Sequence, residues 1–195
     1  VYLANFLVER VRKFVPQASK PCVFLAQSHA DLDDERKPVN RPKLERFLAN
    51  ECGFEVLPTS NLLELERDEY VLALRNDVSR SFAFVQILCP KPLMPKGRDQ
   101  LQFDEAHDSN LPPFCYRGDI DLASIKDDAH RSFIEKSGAI AGQFEGFKLH
   151  LKETLCKLIE EQRAGVRQYQ EADRRFRNGV PDPVADDAMA LVRVA

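Results

Sequence analysis

Apolar residues in this chain fall into short continuous runs, separated by segments in which they recur at three- and four-residue steps. The run Cys22-Val23-Phe24-Leu25-Ala26, preceded by Pro21 and followed by polar residues, predicts a strand buried on both faces of a parallel sheet. Leu44, Phe47, Leu48 and Cys52 then predict a helix over 33–51, closed by Gly53 before a second strand, Phe54-Glu55-Val56-Leu57. Thr59, Ser60 or Asn61 can cap a further helix running to about Asn76. Phe82 to Cys89 is the most hydrophobic run and predicts a central strand. Gly97-Arg98-Asp99 opens another helix through Leu101, Gln102, Glu105 and Ala106, and Leu111 to Tyr116 is a fourth strand whose prolines favour a sheet edge. From Gly138, the positions Ile140, Phe144, Phe147, Leu151 and Leu155 predict a long amphipathic helix to about Gln162.

Strands that alternate with helices require crossover connections. The fold class is therefore α/β, a doubly wound parallel sheet with helices on both faces. An amphipathic N-terminal helix is expected over 1–16, the α/β domain over 20–160, and a charged helical connector and linker over 161–195, where Gly179, Pro181 and Pro183 interrupt the pattern.

Composition narrows the function classes. The 195 residues are 44% hydrophobic and 30% charged, with 28 basic against 31 acidic residues and a formal net charge of −3. No field of that size would hold nucleic acid or an anionic membrane, so neither is expected as a partner. The five cysteines show neither CxxC nor Cys/His ligand spacing, which points to buried thiols in a reducing compartment and to no metal site. A cytoplasmic location is expected, because residues 1–15 lack the apolar core of a signal peptide and no run reaches membrane-spanning length. A start without Met and a strand-like end at Leu191 to Ala195 suggest a piece of a larger polypeptide, whose other domains are candidate partners.

Most polar clusters read as surface. Glu64, Glu66, Asp68 and Glu69 sit where they favour a helix dipole. Asp119, Asp121, Asp127 and Asp128 lack calcium-loop spacing, and Asp127 reads as a helix cap. His107, His130 and His150 read as surface residues. The candidate site is the turn after the first strand, where Gln27, Ser28, His29 and Asp31 would flank the crevice that parallel sheets offer to ligands. Ser28 or Asp31 could equally cap the next helix.

Val23-Phe24-Leu25-Ala26, the helix with Asp31, Asp34, Glu35 and Arg36 near its start, Gly53 to Pro58 and Phe84 to Leu88 resemble bacterial Toll/interleukin-1 receptor (TIR) domains. Leu101-Gln102-Phe103-Asp104-Glu105-Ala106, Leu111-Pro112 and Ile120-Asp121-Leu122 resemble a TIR-like branch found in large bacterial defence proteins. The resemblance spans about residues 20–155. It implies a flavodoxin-like sheet of four or five strands, self-association, and NAD as a substrate rather than a cofactor. Cleavage at the nicotinamide–ribose bond needs a carboxylate near the ribose hydroxyls. The resemblance places Gln102 in the position of the family's catalytic glutamate, with Glu105 one turn on along nearly the same face. Either Glu105 supplies the carboxylate, or the domain binds and assembles without catalysis as an interaction module. A third reading is a nucleoside deoxyribosyltransferase-like enzyme, which begins with a similar strand.

Overall fold

The computed structural model describes residues 20–177. Four strands, β1 (Cys22–Leu25), β2 (Glu55–Leu57), β3 (Ala83–Ile87) and β4 (Pro113–Tyr116), form one sheet in the order β2-β1-β3-β4. All adjacent pairs are parallel, with Phe24 opposite both Leu57 and Phe84. This is the flavodoxin-like arrangement, and β4 is at the edge as its prolines require. A fifth position survives only as a single bridge, in which Ile140 pairs with Tyr116 in the parallel sense.

Side chains alternate across the sheet, so Phe24 and Phe84 share one face and stack with ring centroids 5.8 Å apart. They belong to the core cluster with Tyr70, Leu74 and Val78 of α2 (Arg67–Arg80), Ala106 of α3 (Arg98–Asp108), and Phe133 and Ile134 of α4 (Asp128–Lys136). On the opposite face, Tyr116 meets Phe144 and Phe147 of α5 (Phe144–Arg177) at centroid distances of 5.3 and 4.9 Å. Lys148 of the same helix lies over the ring of Phe47, beside α1 (Arg41–Arg46).

Several expected helix ends move, each for a local reason. The segment after β1 becomes a 3₁₀ turn, Ala30–Leu32, and α1 starts only at Arg41. Pro38 and Pro42 forbid an earlier helix, and the Asn40 side chain caps it by accepting from the Lys43 N–H. Neither Ser28 nor Asp31 is the cap. After Phe47 the helix widens to a π turn through Glu51, and Gly53, with φ +77°, lets the chain leave it. Asn61 caps only a 3₁₀ turn, Leu62–Glu64, and α2 runs on to Arg80. The last helix begins at Phe144, not Gly138, because Gly142 at φ +105° and the Ile140 bridge hold the intervening segment extended.

Residues 20–153 belong to one compact unit, and Thr154–Arg177 of α5 to a second. That second stretch is largely exposed. The helix expected over 1–16 and the linker from 178 onward lie outside the described residues. No described helix is long and apolar enough to cross a membrane.

Phe147 is 2% exposed and anchors α5 to Tyr116. Phe147→Ala is expected to lower the unfolding free energy by about 3 kcal/mol or more, measured by urea denaturation. An unchanged midpoint would place the ring outside the core.

Candidate functional site

The chain leaves β1 through Ala26, whose N–H still donates to the Val85 carbonyl of β3 at 2.8 Å. At Gln27 a side chain takes over from the neighbouring strand. The Gln102 amide accepts from the Gln27 N–H at 2.8 Å and donates to the Gln27 carbonyl at 3.1 Å. It thereby extends the ladder by one residue from α3, and Gln102 is wholly buried. An amide supplies both an acceptor and a donor in this geometry at any pH, whereas a carboxyl group does so only when protonated.

Held there, Gln27 and Ser28 line a crevice at the C-terminal tips of β1 and β2. The cavity is about 310 Å³ and is also lined by Asp33, Arg41, Glu45, Pro58, Thr59, Ser60, Asn61 and Leu63. Gln27 Nε2 donates to the Ser60 carbonyl and to Asn61 Oδ1. Its Oε1 and the Ser28 hydroxyl are buried with no partner. Arg41 is committed to the protein: Nε to the Ala26 carbonyl, Nη2 to the Leu25 carbonyl, and Nη1 to Glu45 at 3.0 Å. Partial desolvation in the crevice raises the pKa of Asp33, an otherwise exposed residue, above the usual carboxylate value, with Arg41 pulling it back.

The residues singled out from sequence separate into three places. Gln27 and Ser28 are in the crevice. His29 and Asp31 lie beside it but not in its lining; Asp31 pairs with Lys91 at 2.9 Å, which lowers its pKa, and His29 Nδ1 accepts from the Asp31 N–H. Donor atoms of His29, Asp31 and Cys89 lie within 4.8 Å of one another, a clustering that residue spacing does not reveal. Both His29 Nδ1 and the Asp31 carboxylate are already engaged, so the protein itself satisfies this group. Glu105 is on the face of α3 toward α2, where both its oxygens accept from Arg75 Nε at 3.2 and 3.1 Å. Neither Gln102 nor Glu105 is among the crevice-lining residues. Asp33, Arg41 and Glu45 are the charged crevice residues that sequence reasoning missed; the signal for two of them was the i, i+4 spacing of Arg41 and Glu45.

A second polar cluster braces the neighbouring loop. His130, expected at the surface, is 6% exposed. Its Nδ1 is 2.9 Å from Asp99 Oδ2 and its Nε2 is 2.8 Å from the Cys89 carbonyl. Gln86 of β3 donates to the Asp99 carbonyl, so strand, loop, α3 and α4 are joined through one group. Asp127 caps α4 as expected, accepting from the His130 N–H. None of the five cysteines is in a disulfide; Cys89 and Cys115 are buried, and Cys156 is exposed. Comparison with protein-family models, with curated proteins and with solved structures finds no match to this chain.

Both ring nitrogens of His130 face acceptors, which is the arrangement of an imidazolium. Burial opposes that charge, but the hydrogen bonds to Asp99 and Cys89 outweigh it and raise the pKa. A raised folded pKa contributes stability that is fully present below the unfolded value of about 6.5 and lost as pH rises through the folded value. Wild-type protein is therefore expected to lose stability as pH rises above about 6.5, and His130→Gln to show less of that decline, in urea melts across pH. Equal slopes in the two proteins would remove His130 from the linkage.

Proposed function

We propose that this is a TIR-like domain of a bacterial defence protein, which binds NAD in the strand-tip crevice and cleaves its nicotinamide–ribose bond once full-length chains assemble. One observation carries the reading: Gln27 Oε1 and Ser28 Oγ are buried in a polar crevice with no partner in the fold. A buried polar group left unpaired costs about 1–3 kcal/mol. A hydroxyl-rich ligand whose entry shifts the lining enough to reach these two atoms recovers that cost. The crevice occupies the position at which parallel sheets receive ligands, and its volume is at the lower end for small-molecule sites.

In the proposed reaction the bond between the ribose C1′ and the nicotinamide nitrogen breaks, and its electron pair leaves with nicotinamide. Water adds its oxygen to C1′ and gives up a proton. Carboxylates beside the ribose offset the positive charge that develops on the sugar. The crevice offers two, Asp33 and Glu45. A cytoplasmic setting suits both the substrate and five cysteines outside any disulfide.

A competing reading, an assembly module without turnover, is favoured by the internal engagement of Gln102 and Glu105, the two residues that the TIR resemblance nominates for catalysis. The two readings differ in one assay. Full-length protein under assembling conditions is expected to release nicotinamide from NAD, and Gln27→Ala to slow that release by about tenfold or more. Absence of NAD loss in every assembled state would replace the enzyme with the module.

A further inference from the structure

The lining of the crevice is short of free positive charge. Among its described residues Arg41 is the only cation, and its three guanidinium nitrogens are turned onto the Leu25 and Ala26 carbonyls and onto Glu45. The Gln27 N–H is taken by Gln102, and its side-chain amide by Ser60 and Asn61. The uncompensated charge in the lining is the carboxylate of Asp33, while the hydroxyls of Ser28, Thr59 and Ser60 can either accept or donate. Gln27 and Ser28 are 7% and 8% exposed, and Gln27 Oε1 and Ser28 Oγ are themselves shielded from solvent. A lining whose uncompensated charge is a carboxylate complements hydroxyl donors and a cationic ring, and it repels phosphate.

Asp33 differs from its neighbours in one respect. Glu45 is tied to Arg41 at 3.0 Å, Asp31 to Lys91 and Glu105 to Arg75, whereas Asp33 is at the crevice rim with no ion pair among the described residues. It is the carboxylate a ligand can reach without breaking a contact. We infer that the crevice takes the ribosyl end of its ligand, with Asp33 accepting from the ribose hydroxyls, and that any phosphate stays outside. This rests on the reading of the crevice as an N-ribosyl site and assigns its carboxylate, which the sequence resemblance had placed at Glu105.

The test is titration calorimetry of the full-length protein with nicotinamide riboside, D-ribose and inorganic phosphate. Nicotinamide riboside is expected to bind, D-ribose to compete weakly and phosphate not to compete. Asp33→Asn should weaken nicotinamide riboside by about tenfold or more, and Glu105→Gln should leave it unchanged. Asp33 is exposed, so its variant should retain the wild-type melting temperature. Displacement by phosphate, wild-type affinity in Asp33→Asn, loss in Glu105→Gln, or no binding of nicotinamide riboside would each overturn the assignment. Asp33-dependent binding without NAD turnover would sink the cleavage reading alone. NAD turnover that survives Asp33→Asn but not Glu105→Gln would sink this assignment alone.

Discussion

The site depends on one side-chain amide. A parallel sheet satisfies its backbone only while neighbouring strands run alongside, and at the tip of β1 that support ends after Ala26. Gln102 supplies the missing strand edge from α3, accepting from and donating to the same residue, Gln27. Without it a buried N–H and C=O would be left unpaired at the mouth of the crevice. With it, Gln27 and Ser28 are fixed where their remaining polar atoms have no protein partner. The open valences in the crevice are thus a consequence of how completely the backbone behind them is bonded.

The surroundings are arranged around that point by charge. Arg41 reaches back from the start of α1 to the Leu25 and Ala26 carbonyls at the tip of β1, while Glu45 neutralises it. Arg98 clamps the β2 side by donating to the Leu63 and Leu65 carbonyls while lying over the Tyr70 ring at 4.2 Å. On the β3 side, His130 holds the Cys89 carbonyl and Asp99 together. The two arginines are spent on backbone carbonyls, which rigidifies the rim and leaves neither guanidinium free for a ligand.

Much of the fold was legible because its signals are local. Four apolar runs separated by helical periods left few topologies open, and all four strands are parallel with the Leu111–Tyr116 segment at the edge. The helix limits were less legible where proline and capping chemistry compete with periodicity, as at Asn40 and Gly142. Of the site, Gln27 and Ser28 were readable as strand-tip residues. Asp33, Arg41 and Glu45 were not, since their convergence depends on a turn and a helix start that sequence spacing misplaced. Gln102 looked like a glutamate position occupied by an amide. Its role depends on a contact 75 residues away in sequence, which no periodicity displays. His130 is the same kind of case, because a polar helix face concealed its burial between Asp99 and Cys89.

The most direct measurement is the unfolding free energy of Gln102→Glu. Glutamate matches glutamine in size, but as a carboxylate it can accept from the Gln27 N–H without donating to the Gln27 carbonyl, and it brings a charge into a fully buried position; regaining the donor means protonating it, which costs free energy at neutral pH. A clamp at this position means a loss of about 3 kcal/mol or more in urea denaturation at neutral pH. Wild-type stability in Gln102→Glu would mean that position 102 is an open slot that accommodates a carboxylate, and would contradict the role of its amide as the clamp on Gln27.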